Sequence, residues 1–353
     1  MFTESGPSYT VILYLKRHLT RSTEIMEYEN FSRKELGEIL SDFLQSIDFY
    51  MPPFSYDFSL EEPIMSYFDS QPWPPAIRKK AVGMAKWMST GIGMCYPFTD
   101  RDSQIKYAIH GIYVLFIEGV LEELGSALDN FAMNLLLGKC QESPVLQSFA
   151  DFLASGQTYL GCLGNTVNIK SAIEFINGCI LERDLDGKIT PPTGAVNFPK
   201  YLRDKTGFSE PYAHFCFPQK IYPESKYLQT YLPVVPDITE YTCYTNDILS
   251  FYKESIVGHE RLNYISNYAN TQGVGLADAL REVCANVTRN VHNVRSVLAN
   301  HPEMLKNVEE YFRGYAAWYL NQKRYRLDDI QIRGADDQRY ELTPTQPDGL
   351  SRE

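Results

Sequence analysis

Between Gly275 and Leu298 the chain sets Leu276, Ala279, Leu280, Val283, Val287, Val291 and Val294 at steps of three and four. On a helix of 3.6 residues per turn these positions share one face, so the valines report a buried stripe despite their preference for strands. Leu36, Ile39, Leu40, Phe43, Leu44 and Ile47 repeat the period, and Ser32 with Glu35 forms a capping box ahead of them. Alternation of period two is almost absent, which excludes a sheet-based fold and predicts an all-α chain.

The helical period predicts helices over 33–48, from Pro75 to about Gly91, and over 101–121, 123–138, 144–160, 167–183, 235–256, 276–298 and 303–326. Breaks fall at Pro97, Pro144, Pro191, Pro192 and the Gly273/Gly275 pair. Residues 49–74 hold Pro52, Pro53, Pro63, Pro72 and Pro74 and read as an irregular connector. Three regions result: an N-terminal segment 1–32, one helical domain over 33–330, and a polar tail 331–353 expected to be disordered.

A formal charge of −11 disfavours nucleic acid and anionic membranes as partners. The seven cysteines form no CxxC and no Cys/His cluster, so they are expected to be buried reduced thiols rather than a zinc site or a disulfide framework. No signal-peptide order appears over Met1–His18, and the apolar run Ile112–Leu121 is interrupted by Glu118. A soluble cytoplasmic protein is expected.

The stretch Asn246-Asp247-Ile248-Leu249-Ser250-Phe251-Tyr252-Lys253-Glu254 carries the most chemistry. Each step of four residues turns a helix only about 40° beyond one full turn, so Asn246, Ser250 and Glu254 fall in one stripe. An amide oxygen, a hydroxyl and a carboxylate are hard ligands that suit Mg²⁺, with phosphate and water completing the octahedron. Taken bare, three polar residues at this spacing also describe a solvated helix face.

With its flanking residues, the stretch resembles the second metal-binding motif of the class I terpene cyclases, and its Ser-Phe-Tyr-Lys-Glu run is similar to the trichodiene synthase-like branch. Lys323-Arg324-Tyr325-Arg326-Leu327, about seventy residues further on, resembles the Arg-Tyr pair that closes over the diphosphate in that family. Thr206-Gly207-Phe208-Ser209-Glu210-Pro211 and the helix around Gly178-Cys179 extend the resemblance over most of 75–330. It implies the α-helical terpenoid synthase bundle with a central cavity and three Mg²⁺. The implied substrate is a prenyl diphosphate, farnesyl diphosphate by family habit, cyclised to a sesquiterpene or its alcohol. It is compatible with a homodimer. Lys170 falls where the family carries a diphosphate-sensing arginine, and Lys253, Arg324 and Tyr325 are the other implied diphosphate contacts.

One departure stands out. Where the family carries an aspartate-rich motif, this chain has Ile117-Glu118-Gly119-Val120-Leu121-Glu122. Glu118 takes the first acid position, and Glu122, four residues on, would share its helix face. Either Glu118 and Glu122 are working ligands with a shifted ion, or the cluster has decayed and the inherited cavity serves another reaction on a terpenoid. The intact second motif favours the first. Among the many aromatic residues, Tyr113 and Phe116 are the expected cavity-lining rings.

Overall fold

In the computed structural model, which describes residues 31–335 except 55, 186, 187, 259 and 261, the first helix opens at Ser32 as expected. Its Oγ accepts the Glu35 backbone N–H at 3.0 Å, and α1 runs Arg33–Ser46 with Leu36, Leu40, Phe43 and Leu44 buried. The Glu35 carboxylate does not return to complete the box; it meets Arg281 at 3.1 Å.

The connector 49–74 is not wholly irregular. Asp57 caps a helix α2, Phe58–Asp69, that carries Pro63 in its interior. A mid-helix proline costs about 3 kcal/mol. Leu60, Ile64 and Phe68, spaced by four, are almost completely buried and offset that cost at roughly 1.5–3 kcal/mol each. The stretch predicted to start at Pro75 divides at Met84 into α3, Pro75–Gly83, and α4, Ala85–Cys95.

Asp100 caps α5, Arg101–Glu118. The predicted helix 123–138 breaks into α6, Leu121–Leu124, and α7, Phe131–Leu136, because Gly125 turns the chain at φ 48°. Next come α8, Pro144–Ala154, and α9, Cys162–Leu185. Then come α10, Phe198–Thr206, α11, Glu210–Phe215, and α12, Glu224–Tyr231, none of which periodicity predicts. They are too short to fill the window that reveals a helical period.

The motif helix α13, Val235–Phe251, continues as a π-helical turn over Tyr252–Val257. Three helices complete the bundle: α14, Tyr264–Gln272, α15, Leu276–Val297, and α16, Pro302–Asn321. Among the described residues there is no strand and no helix long and apolar enough to cross a membrane. All seven cysteines are free thiols, but Cys140 and Cys162 are exposed, contrary to the expectation that all are buried.

One cluster of buried apolar side chains extends from Phe31 to Ala335. Its last members correct the boundary set at 330: Ile332 and Ala335 are fully buried, and the Arg333 backbone N–H donates to Ser41 Oγ at 2.9 Å. The segment before residue 31 and the tail after 335 lie outside the described residues.

Within the bundle α13 packs on α15, α11 and α16, while α16 packs on α4 and α9 on α10. The α4–α16 crossing depends on Gly314, where a Cβ would sit 1.9 Å from the Met94 carbonyl oxygen. Backbone cannot yield as a side-chain tip can, so Gly314→Ala must push two helices of the cavity wall apart. The expected cost is about 3 kcal/mol, read as a lowered thermal midpoint by calorimetry. An unchanged midpoint would mean the crossing is looser than drawn.

Candidate active site

Helices α4, α5, α9, α10, α13 and α16 surround one open cavity. Its inner wall is apolar and aromatic, with Ile92, Val114, Leu115, Tyr311, Tyr315 and Trp318 among its members. Charge gathers elsewhere on the lining, in Glu118, Glu182, Arg203, Asp247, Lys253, Glu254, Glu260 and Arg324.

Ser250, Lys253 and Glu254 of the motif come together where α13 passes into the π turn. Ser250 Oγ donates to the Glu254 carboxylate at 2.7 Å, and Lys253 Nζ lies 3.3 Å from the same group. Asn246 and Glu254 line the cavity, whereas Ser250 is fully buried and reaches it only through Glu254. The π turn begins at Tyr252, between Ser250 and Glu254, and such turns recur at functional sites.

Asn246 is held from two sides, donating to the Tyr319 hydroxyl and accepting at Oδ1 from Arg203 Nη2 at 2.8 Å. Arg203, from α10, also bonds the Asp247 carboxylate at 2.8 Å and the Cys243 carbonyl at 3.1 Å. Burial pushes the Asp247 carboxyl up to about 6, although Arg203 pulls it down. Arg203 is the chief residue that sequence reasoning missed. It stands just before the Thr206-Gly207 run that carried part of the resemblance, in a helix too short to register.

Lys170 does not join this group. It projects from α9 half-exposed, ion-paired with Glu210 and with Glu174 at 3.5 Å, and does not line the cavity. Glu174 of the same helix and Glu210 of α11 hold it there, so the buried cation beside the motif is Arg203 rather than Lys170.

Glu118 ends α5 at the cavity. Burial raises its carboxyl pKa and the Glu254 charge raises it further, while Arg203, Arg324 and Lys253 pull it back. The two acidic motifs therefore face one another across a shared space. Glu122 is different. Gly119 caps the helix and Val120 leaves it at φ −133°, so Glu122 starts again on the single turn α6 and points to solvent. The expected shared face of Glu118 and Glu122 is absent because the chain leaves the helix at Val120, between them. Glu182 of α9 and Glu260 supply further cavity carboxylates, and burial with the charges of Glu254 and Glu118 pushes Glu260 up to about 7.

Arg324 and Tyr325 stand on a 3₁₀ turn, Lys323–Tyr325, directly after α16. Tyr325 is buried with its ring centroid 4.5 Å from that of Tyr319, and the Arg324 guanidinium lies 5.6 Å from the centre of the Trp87 ring. The expected aromatic lining needs correction. Tyr113 and Phe116 face the outer core, where Phe116 stacks on Trp73 at 5.5 Å and Tyr113 packs on Phe68 and Phe149. The rings on the cavity are Tyr96, Tyr212, Tyr264, Tyr311, Tyr315, Trp318, Tyr319 and Tyr325.

The donor set suits a divalent metal shared with a ligand better than a closed protein cage. Asn246, Ser250 and Glu254 offer hard oxygens on one stripe. Among the described residues no three His, Cys, Asp or Glu side chains come together to hold an ion by themselves. Mg²⁺ is commonly bound by one or two carboxylates with substrate phosphates completing its shell, which this arrangement permits.

A profile of the trichodiene synthase (TRI5) family matches residues 71–343. An (E)-beta farnesene synthase of Metarhizium brunneum is 33% identical over 320 residues, spanning 90% of this chain and 96% of its own length. An alpha-cuprenene synthase of Coprinopsis cinerea is 29% identical over 304 residues, with 84% and 90% covered. A crystal structure of linalool/nerolidol synthase from Streptomyces clavuligerus in complex with 2-fluorogeranyl diphosphate superposes with a TM-score of 0.55. That match has 12% sequence identity over 74% of this chain and 97% of the other, a likeness of fold.

Proposed function

We propose, from the premise that this chain belongs to the trichodiene synthase family, that it is a terpene synthase that ionises farnesyl diphosphate and cyclises the resulting cation. The observation that carries the reading is one cavity whose lining joins a cluster of interacting charged groups to apolar and aromatic side chains. Divalent metal, read here as three Mg²⁺, supplies Lewis acidity to the departing diphosphate in this family. Asn246 and Ser250 would hold it from α13, Glu254 from the π turn that follows, and Glu118 from the end of α5.

The remaining roles belong to this chain's own groups. Arg203, Lys253 and Arg324 present cations to the diphosphate oxygens, and the planar guanidinium of Arg203 is already oriented by Asn246 and Asp247. Tyr325, packed at a tilt against Tyr319, fixes the turn that carries Arg324. The wall of tyrosines and Trp318 keeps bulk water from the allylic cation and turns ring faces toward it, which stabilises positive charge. With five buried thiols and no disulfide, the chain suits a reducing cytoplasm.

The test is to incubate the purified protein with geranyl, farnesyl and geranylgeranyl diphosphates, with and without Mg²⁺, and to identify extracted products. A metal-dependent hydrocarbon or alcohol from farnesyl diphosphate is expected. A second reading rests on the break after Glu118 and the outward Glu122. In it the inherited cavity acts on a terpenoid without ionising a diphosphate, and no turnover of all three substrates would favour it.

A further inference from the structure

Of the three tryptophans in the chain, two meet at the cavity wall. The rings of Trp87 and Trp318 are 4.7 Å apart with their planes at 41°, and Trp318 lines the cavity from α16. The Trp318 indole also rests on Gly91, where a Cβ would stand 3.0 Å from both Nε1 and Cε2. Trp87 and Gly91 are four residues apart on α4, so together they form a seat one turn long.

Hydrogen bonding does not fix the indole in that seat. Trp318 is 6% exposed, and its Nε1–H has no acceptor among the described residues. An unmet buried donor is unfavourable and gives the ring no direction. Its tilt is set by packing alone, against Gly91, Trp87, Tyr319 and Tyr325. A contact at 3.0 Å requires the rigid ring to give by a few tenths of an ångström. A methyl at position 91 must therefore displace the indole, which Trp87 flanks.

We infer that Gly91 is a specificity-determining residue: by carrying no side chain it lets Trp318 lie flat on α4, and so sets how far the indole projects into the space where the prenyl chain folds. This rests on the proposed terpene synthase reading. The seat also touches the charged cluster, because Arg324 lies over the Trp87 ring. Chain length and diphosphate grip are thereby joined through one pair of indoles.

The test uses the full-length protein as wild type, Gly91→Ala, Trp318→Phe and the double variant. Products and kcat/KM are measured with geranyl and farnesyl diphosphates, and the exciton couplet of the indole pair is followed by circular dichroism. Alanine favours a helix more than glycine does, so α4 should persist. Gly91→Ala is expected to raise the ratio of geranyl to farnesyl kcat/KM by about tenfold, the scale that one methylene commands in an apolar pocket, and to alter the couplet.

With the smaller Phe at position 318, the alanine should no longer matter, so the double variant should match Trp318→Phe alone. A Gly91→Ala enzyme with unchanged products, ratio and couplet would overturn the inference. So would a shift that persists with Phe at 318, since the methyl would then act on substrate directly. If the wild type turns over neither diphosphate, the function proposed above fails, and the couplet still decides whether Gly91 seats Trp318.

Discussion

Glu254→Ala is expected to lower turnover of farnesyl diphosphate on the order of 10³-fold and to raise the Mg²⁺ concentration for half-maximal rate, while the thermal midpoint stays near that of wild type. Stability should survive because the Glu254 side chain is partly exposed at the cavity, where Ser250 and Lys253 bond it. The sign of the effect is informative. Arg203, Lys253 and Arg324 surround a site into which a diphosphate must come, and Glu254 repels that anion. If the carboxylate merely set local charge, its removal would tighten substrate binding and leave the rate intact or higher. If it binds metal, kcat collapses while KM for the diphosphate changes little. Asn246→Ala should behave alike, with the added loss of its bond to Arg203. Release of inorganic pyrophosphate across a Mg²⁺ titration measures both, and a wild-type rate at limiting metal would remove these residues from the mechanism.

What the sequence disclosed follows from how local each feature is. The faces of α1 and α15 are legible because their apolar residues keep one period over three or more turns. α2 was hidden by Pro63 and its neighbouring prolines, though Leu60, Ile64 and Phe68 carry the period. The stripe Asn246, Ser250 and Glu254 could be read because all three belong to one helical run. Arg203 could not, because its meaning comes from Asp247 and Asn246 on another helix.

Direction is the other quantity that composition conceals. Lys170 has the charge a diphosphate needs but faces Glu174 and Glu210 on the outside of α9. Tyr113 and Phe116 are aromatic and lie near Glu118 in sequence, yet the helix turns them to the outer core while Val114 and Leu115 meet the cavity. Position along a helix fixes a face only when a neighbour fixes which face is inward.

Glu118 presents the sharpest division between ligand and relic. Of its own motif it alone reaches the cavity opposite Glu254, since Gly119 ends the helix and Glu122 turns outward. A metal held by that motif must therefore depend on one carboxylate, and losing its charge should cost most of the rate. Glu118→Gln keeps the side chain's size and is expected to lower pyrophosphate release on the order of 10³-fold at saturating Mg²⁺, because a neutral amide cannot offset two positive charges. Glu118→Asp keeps the charge on a shorter stem and should retain a measurable fraction of the rate. Glu122→Gln should stay within about twofold of wild type, as befits a surface position. Glu118 is solvent-exposed at the cavity, so Glu118→Gln should unfold near the temperature of wild type. A protein of unchanged stability that has lost its turnover would mark Glu118 as a group kept for chemistry. Equal rates for glutamate and glutamine at 118 would make the first motif a relic and leave ionisation to α13 and the cations around it.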